Sequence, residues 1–360
     1  MWRIPSITLL FLTASGATRV ESEASLSVEL MSKFKGWVDF HQKMYDSHDN
    51  KMERLNIWLN NDERIEAHNN QNPTPSFALG HNEFSDMTED EFAQYFRLGP
   101  YASVRQKEAA QAKIMDPDQQ ISTAERRRLW EEQAPLTLPD YMNWVQAGAV
   151  TPMKNQGACG SCWAFSTTGA LEGAKFLKTG ELVALSEQHL IDCDKVDLGC
   201  NGGLMDNAFK FDMSEAGLCS EEEYPYLAKQ SRTCMTNCTK VEGSGVKTFI
   251  DVPPGDEKAL LSAIAMQPIS VAIQASQFVF QFYKNGVLTD DSCGSRASID
   301  HGVLAVGYGT DVDTNEPYFL VKNSWGETWG DKGYVKLGRG GKNEFGMCAI
   351  LKMASFPVVE

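Results

Sequence analysis

The chain has 360 residues, of which 42% are hydrophobic, and a formal net charge of −15 at pH 7. This length is enough to bury a sizeable core, and it predicts one large domain with an appended segment, or two domains. The negative charge argues against a nucleic-acid partner and against binding to an anionic membrane.

The N-terminus has the composition of a secretory signal peptide. The start Met1-Trp2-Arg3 is followed by an apolar run at residues 4–12 and by small residues at 14–17. The run is too short to span a bilayer as a stable anchor, and no other stretch of the sequence qualifies. A buried N-terminal strand or helix is the alternative. We predict a signal peptide at residues 1–17 that directs the chain into the secretory pathway, and from there to a lysosome or vacuole or to the extracellular space.

The rest of the chain divides into three zones. Residues 18–99 form a leader that contains no cysteine and is polar, charged and helical in pattern from residue 29 onward. Residues 100–136 are rich in Gln, Ala, Arg and Glu, which predicts a linker or a loosely held helix. All nine cysteines lie in residues 137–360, a predicted globular unit. In a secretory compartment cysteines form disulfides, and an odd number leaves one thiol that is a candidate reactive group.

The periodicity of the globular unit changes about halfway along it. Apolar residues at helical spacing, with capping signals, predict helices at residues 162–178, 186–191 and 203–216. Runs bounded by glycine turns predict strands at residues 269–274, 302–309, 318–326 and 333–340. A helical half followed by a strand-rich half predicts an α+β fold with a groove where the halves meet.

The segment NQGACGSCWAFS contains two cysteines, Cys159 and Cys162, in a C-x-x-C arrangement. A redox dithiol of this type belongs in a βαβ context, which the second half lacks. A zinc site needs a second ligand pair, which Cys234 and Cys238 could supply, but an oxidising compartment favours disulfides over thiolate ligands. The third interpretation is one disulfide cysteine beside one reactive cysteine, and it requires a base.

Two histidines of the globular unit are candidates for this base. His189 lies within a predicted helix, where a structural role on the surface or half-buried is favoured. His301 precedes a predicted strand and lies 301 − 162 = 139 residues after Cys162. That separation falls in the window of roughly 130–150 residues typical of one family of Cys/His peptidases. Asn323, further along the chain, could accept the other N–H of the imidazole and hold the ring in the useful tautomer.

Three segments, QGACGSCWAF, DHGVLAVGYG and KNSWGETWGDKGY, resemble the papain-like (cathepsin L-like) cysteine peptidases. The resemblance covers nearly all of the chain from Leu138 onward. It implies a papain-like two-domain fold, with a helical domain, a strand-rich barrel-like domain and the active site in the cleft between them.

The leader resembles the inhibitory, fold-assisting propeptides of the same family. Their helix carries the pattern E-x3-R-x3-F-x2-N-x3-I-x3-N, and here the first position is Asn and the aromatic position is Trp. The matching residues are Asn50, Arg54, Trp58, Asn61, Ile65 and Asn69. A second family motif, G-x-N-x-F-x-D, is matched by Gly80, Asn82, Phe84 and Asp86.

The resemblance also implies the catalytic residues. Cys162 is the nucleophile and His301 the base, oriented by Asn323, while the Gln156 amide and the Cys162 backbone N–H stabilise the oxyanion. Trp325 is expected to shield the contact between His301 and Asn323 from water. Because Cys162 begins a predicted helix, the helix dipole and a protonated imidazole favour a thiolate–imidazolium pair.

The resemblance further implies three disulfides and leaves Cys162 free. The implied pairs are Cys159–Cys200, Cys193–Cys234 and Cys293–Cys348. Cys219 and Cys238 are extra to this pattern and suit a fourth bridge, although Cys234 and Cys238 could exchange partners.

Six residues are implied to bind substrate. Gly202 and Gly203 offer backbone hydrogen bonds to an extended peptide. The pocket for the side chain two residues before the cleaved bond is lined by Met205, Ala272, Gly302 and Met353. These residues contribute no acidic group, so we expect a preference for Leu, Phe or Val in that pocket.

The interval between Cys193 and Cys200 is short and contains no histidine pair, so the occluding insertion of the carboxydipeptidase relatives is missing. We therefore expect an endopeptidase with an open groove, made as a zymogen. We expect a monomer whose partners are protein and peptide substrates and its own propeptide, with no metal or other cofactor. A non-catalytic relative with an inhibitory leader and a disulfide oxidoreductase are the alternatives.

Overall fold

The structure is a computed structural model that describes residues 15–95, 98, 137–295 and 298–360. The predicted linker at 100–136 and residues 1–14 of the predicted signal peptide lie outside the described residues. The chain divides into two compact units, Met1–Arg64 and Ile65–Glu360. No helix in the described part of the chain is both long and apolar enough to cross a membrane.

The first unit is built from two helices of the leader. Helix α1 spans Ser15–Phe40, and helix α2 spans His48–Asn69, so that its last turn belongs to the second unit. Aromatic residues join the two helices, since the rings of Phe34 and Trp58 lie 5.6 Å apart in an edge-on arrangement. Trp58 is the aromatic position of the propeptide motif, and it is buried with Leu55 one turn earlier.

The helices of the second unit are mostly short. They are α3 (Glu89–Tyr95), α4 (Cys162–Thr179), α5 (Glu187–Cys193), α6 (Met205–Glu215), α7 (Glu257–Met266) and α8 (Phe278–Gln281). Two 3-10 turns span Gly199–Asn201 and Met347–Ala349.

The strands of the second unit follow largely in its later half. They are β1 (Phe77–Leu79), β2 (Met142–Asn143), β3 (Val246–Asp251), β4 (Ile269–Ile273), β5 (Tyr283–Leu288), β6 (His301–Thr310), β7 (Pro317–Lys322), β8 (Tyr334–Gly338) and β9 (Met353–Val359). They pair in the order β1-β5-β8-β7-β6-β4-β9-β3, with β2 also on β6. Only the β5–β8 pair is parallel among the described strands.

Local sequence signals explain where the helices of the globular unit begin and end. The Ser186 hydroxyl accepts the His189 N–H at 3.0 Å and caps α5. Gly180 ends α4 in the left-handed conformation, with φ of 80°. Helix α6 begins at Met205, later than the predicted residue 203, because its N-cap Leu204 is in an extended conformation, with φ of −129° and ψ of 138°.

The second unit has two apolar cores. One is built on the strands and includes Val271, Val303 and Val321. The other is built on the helices and includes Leu171, Leu190 and Phe209. This is an α+β architecture with a helical half and a strand-rich half, as the change in periodicity predicts.

The end of the leader adds a strand to the sheet of the globular half. Strand β1 pairs antiparallel with β5. Asn69, at the end of α2, accepts the Leu79 N–H and donates to the Leu79 carbonyl, both at 2.9 Å. Asn69, the last position of the propeptide-helix pattern, therefore holds β1 through its side-chain amide.

Candidate active site

Cys162 is the first residue of α4 and is completely buried. It is the free cysteine among the described residues. Desolvation by burial raises the pKa of the Cys162 thiol to about 12, although the N–H groups of Gly302 and Trp163 oppose this shift by favouring the anion. The sulfur therefore lies at a helix start, and backbone N–H groups point at it. In this form of the protein the sulfur is shielded from water.

His301, the first residue of β6, is hydrogen-bonded to Asn323. Its Nε2 lies 2.7 Å from Asn323 Oδ1, and the same oxygen accepts the Ser324 N–H at 2.8 Å. The Ser324 contact identifies the oxygen of the amide, so Nε2 carries the proton that is donated to it. In the neutral ring the basic nitrogen is then Nδ1.

Trp325 covers this pair. Its ring stacks on the imidazole of His301 with centroids 4.7 Å apart and an interplanar angle of 28°. Desolvation by burial lowers the pKa of His301 to about 4, and the hydrogen bond that the ring donates to Asn323 opposes the shift. Burial thus shifts the pKa values of both candidate catalytic groups toward their neutral forms, whereas the helix start favours the charge pair.

A glycine next to His301 brings β6 against the start of α4. A Cβ atom on Gly302 would lie 3.3 Å from the Cys162 carbonyl oxygen and from the Trp163 Cα. Such contacts are tighter than side chains normally make, so the glycine permits the close approach. The candidate base and the candidate nucleophile are therefore the first residues of two adjoining elements.

Gln156 is completely buried and held through both ends of its amide. Its Oε1 accepts the Ser324 hydroxyl at 2.6 Å, and its Nε2 donates to the Cys159 carbonyl at 2.8 Å. Its backbone N–H donates to the Ser324 carbonyl at 2.8 Å. Sequence reasoning missed Ser324, although it directly follows Asn323 in the KNSWG motif.

All nine cysteines lie among the described residues. The structure contains the disulfides Cys159–Cys200, Cys193–Cys234, Cys219–Cys238 and Cys293–Cys348. A cluster of donor atoms from His189, Cys193 and Cys234 lies within 4.8 Å, but its two sulfurs are joined in a disulfide and are not thiolate ligands.

His189 does not lie at the surface or half-buried, as its helical position suggested. It is 2% exposed, and its Nδ1 accepts the Cys219 N–H at 3.3 Å. The burial of α5 against the Cys219 segment accounts for this difference. Its contact with the Cys219 N–H joins α5 to the segment that carries the Cys219–Cys238 disulfide.

The six residues expected to bind substrate lie on adjoining elements. Gly202 and Gly203 precede α6, and a Cβ on Gly203 would meet the Trp163 ring at 2.5 Å and Asp197 at 2.8 Å. Ala272 lies opposite Gly302 in the β4–β6 pair and opposite Met353 in the β4–β9 pair. The Met205 sulfur lies 3.2 Å from the Cβ position of Gly302.

A leader residue lies in the same apolar cluster. Leu98 is 1% exposed and belongs to the buried cluster that contains Cys162, Met205 and Ala272. Its N–H donates to the carbonyl of Asp300, the residue before His301, at 2.9 Å. Sequence reasoning missed Leu98 because it lies outside both propeptide motifs and carries no signal of its own.

The second propeptide motif lies on the aromatic residues beside the site. The Asn82 amide donates to the Gln281 carbonyl at 2.7 Å, and Gln281 Nε2 donates to the Phe84 carbonyl at 3.2 Å. The Phe84 ring lies edge-on to Trp325 at 5.5 Å. The leader therefore contacts the same tryptophan that covers the imidazole.

Comparisons with known proteins identify the family. The profile of the papain family cysteine proteases matches residues 138–358, and that of the cathepsin propeptide inhibitor domain matches residues 34–92. A cathepsin L-like peptidase of Aedes aegypti is 43% identical over 324 residues, covering 89% of this chain and 90% of that protein. Procathepsin L of Rattus norvegicus is 41% identical over 330 residues, covering 90% of both chains.

A solved structure agrees. The proform of the Amb a 11 cysteine protease, a ragweed pollen allergen, matches with a TM-score of 0.77 and 35% identity, covering 92% of this chain and 95% of that one. The chain belongs to the papain family of cysteine proteases. More closely, it is a cathepsin L-like cysteine protease made as a proform with its own inhibitory propeptide.

Proposed function

We propose that the mature protein is a cysteine endopeptidase in which Cys162 is the nucleophile and His301 is the general base and acid. The observation that carries this proposal is the 2.7 Å hydrogen bond from His301 Nε2 to Asn323, which leaves Nδ1 as the basic nitrogen on a residue next to the start of α4. Gln156 and the Cys162 backbone N–H are the proposed donors to the oxyanion.

The reaction has two stages. His301 Nδ1 takes the thiol proton, and the thiolate of Cys162 attacks the peptide carbonyl carbon. The negative charge on the carbonyl oxygen is stabilised by the second N–H of Gln156 Nε2 and the Cys162 backbone N–H. The C–N bond then breaks, the amine leaves with the proton from His301, and a thioester remains. Water, deprotonated by His301, hydrolyses the thioester and restores the thiol.

The closed form lowers the nucleophilicity of this pair. With the thiol pKa raised and the imidazole pKa lowered, proton transfer from Cys162 to His301 is unfavourable while the leader excludes water. Release of the leader returns water to the cleft, and the two opposite charges then form together. Protonation of leader carboxylates would weaken its binding, so we propose that processing is faster at acidic pH.

The proposed specificity follows from the pocket formed by Met205, Ala272, Gly302 and Met353. Its lining is apolar, so we propose that it accepts Leu, Phe or Val two residues before the cleaved bond. The position of Leu98 supports this proposal, because a leader residue of that type is buried in the same cluster. A peptide library cleaved best after an Arg-Arg pair would contradict it.

An open groove and a secretory destination complete the proposal. The segment between Cys193 and Cys200 contains only a 3-10 turn and loops, with no occluding insertion. We propose a signal peptide at residues 1–17, an inhibitory propeptide at 18–99, a linker at 100–136 and a monomeric catalytic domain at 137–360. The destination is a lysosome or vacuole or the extracellular space. N-terminal sequencing of the secreted proform and the mature enzyme tests these boundaries.

Labelling of the thiol tests the mechanism. The full-length chain is treated with acid and then with an epoxide inhibitor that alkylates reactive cysteines. We expect one label per molecule, on Cys162, and no label on the Cys162→Ala variant. Labelling of any other cysteine, or peptide hydrolysis by the Cys162→Ala variant, would overturn the assignment. An insulin reduction assay on the same sample tests the alternative of a disulfide oxidoreductase.

A further inference from the structure

The two segments that supply the proposed oxyanion donors are connected by one tyrosine. The hydroxyl of Tyr226 donates to the backbone carbonyl of Gln156 at 2.6 Å. The same oxygen lies 2.7 Å from the hydroxyl of Ser161, the residue before Cys162. Tyr226 lies between α6 and β3, so neither donor segment is close to it in sequence.

The directions of these hydrogen bonds are fixed by the available protons. A phenol has one hydrogen, and Tyr226 donates it to the Gln156 carbonyl, which cannot itself donate. The Ser161 hydroxyl therefore donates to the oxygen of Tyr226. The result is a chain of two hydrogen bonds that runs from Ser161 through Tyr226 to Gln156, in which each bond strengthens the other.

This use of Ser161 is unusual for its position. Ser161 is the N-cap of α4, where a serine hydroxyl normally accepts a backbone N–H of the first turn. Here its side chain makes no capping bond. The hydroxyl turns toward Tyr226 instead, and the N–H groups of Cys162 and Trp163 remain directed at the sulfur.

The ring of Tyr226 is itself held in place. Phe165, one turn into α4, packs edge-on against it at 4.8 Å between centroids. Desolvation by burial raises the pKa of Tyr226, which keeps its hydroxyl protonated and able to donate throughout the working range of the enzyme.

We infer that Tyr226 is a positioning residue for the oxyanion site, which holds Gln156 and the start of α4 at a fixed separation through its hydroxyl. It touches neither the substrate nor the sulfur in this role. The inference rests on the proposed function, because it assumes that Gln156 and the Cys162 N–H bind the oxyanion. Oxyanion donors act only when they are placed in advance, so a shift of one segment against the other weakens both.

The test is the variant Tyr226→Phe, which removes the hydroxyl and keeps the ring against Phe165. The matched control is Tyr224→Phe, since the Tyr224 hydroxyl is also buried and hydrogen-bonded, to Asp192 at 2.7 Å, but contacts neither donor segment. Both variants are made in the full-length chain and activated with acid. Titration with the epoxide inhibitor then counts the reactive thiols, so that each rate is expressed per active site.

Two inhibitors separate a role at the oxyanion from a role at the sulfur. A peptide aldehyde forms a tetrahedral adduct whose oxygen occupies the oxyanion position, whereas iodoacetamide requires only the thiolate. For Tyr226→Phe we expect kcat to fall about 10-fold with KM within 2-fold, and the aldehyde Ki to rise about 10-fold, which is less than loss of a donor itself. The iodoacetamide rate should stay within 2-fold, and Tyr224→Phe should change none of these values.

The outcomes are distinct. Unchanged aldehyde affinity in Tyr226→Phe, or an equal loss in aldehyde affinity and iodoacetamide rate, would overturn the inference. If Tyr226→Phe gives no folded enzyme, Ser161→Ala is tested instead, because it removes the other end of the hydrogen-bond chain. Its loss of aldehyde affinity is compared with its loss of iodoacetamide rate in the same way. A wild-type protein that fails to react with the epoxide at Cys162 would refute the proposed function itself, whatever the variants do.

Discussion

Asn323 accepts the Nε2–H of His301 at 2.7 Å, and the Ser324 N–H holds the same amide oxygen at 2.8 Å. The side-chain oxygen of Asn323 is therefore fixed as an acceptor, and the amide NH2 group cannot turn toward the ring. This arrangement selects one tautomer of His301 and stabilises the imidazolium once it forms. In the proposed mechanism Asn323 therefore acts on His301, and His301 acts on the Cys162 thiol.

Replacing Asn323 by alanine should weaken the base. We expect Asn323→Ala to lower kcat/KM about 10- to 100-fold, the range for loss of a residue that orients a functional histidine. The Asn323 hydrogen bond raises the pKa of His301, so its loss should also move the alkaline limb of the pH–rate profile to lower pH. An alkaline limb at the wild-type pH would mean that Asn323 does not support the imidazolium.

The leader should bind more weakly when Leu98 is shortened. Leu98 is 1% exposed, and burial of a leucine side chain contributes about 2 kcal/mol, or about 30-fold in an equilibrium constant. We expect the Leu98→Ala proform to process itself faster than the wild type at the same pH. The control is Met44→Ala, because Met44 also lies in the leader and is 93% exposed. Equal processing rates for the wild type and Leu98→Ala would exclude this contact as part of the inhibition.

How much of the site could be predicted depended on whether its residues lie in local motifs. Cys162, His301 and Asn323 lie in short contiguous motifs, and the residue types of those motifs indicate the chemistry. Leu98 and Tyr226 act through contacts between distant segments, and no pattern in the sequence marks them. The direction of the two pKa shifts could not be predicted either, because burial causes them and burial is a property of the folded chain.

The bounds of the helices and strands could also be predicted only in part from the sequence. The predicted strand at residues 318–326 is observed as Pro317–Lys322. Just beyond its end, the side chains of Asn323 and Ser324 are hydrogen-bonded to His301 and Gln156. The observed strand β3 was missed, since its alternation is short and lies next to the helical half. The helix start capped by Ser186 was predicted correctly, whereas α7, which Asp256 caps, was not predicted.

The apolar pocket predicts a specificity change. Met353 lies opposite Ala272 in the sheet, so a carboxylate introduced there would face the side chain two residues before the cleaved bond. We expect Met353→Glu to raise the ratio of kcat/KM for Arg over Leu at that position at least about 10-fold, because a buried charge favours an opposite one. The control is Met213→Glu, in an exposed part of α6. A ratio that changes equally in both variants would place Met353 outside the pocket.

The buried Asp212 predicts how stability depends on pH. Desolvation, with a smaller contribution from Glu360, raises the pKa of Asp212 from 3.8 to about 7, while its Oδ1 accepts the Val246 N–H at 2.6 Å. The folded protein therefore holds a proton that the unfolded chain releases between pH 4 and 7, so this group's contribution to stability is complete below pH 4 and is lost as the pH rises to 7.

An asparagine side chain at position 212 mimics the protonated carboxyl. We expect Asp212→Asn, in a full-length Cys162→Ala background that cannot process itself, to have nearly the Tm of its parent at pH 4 and a Tm higher by several degrees at pH 8. A difference in Tm that is constant from pH 4 to 8 would show that Asp212 does not titrate in this range.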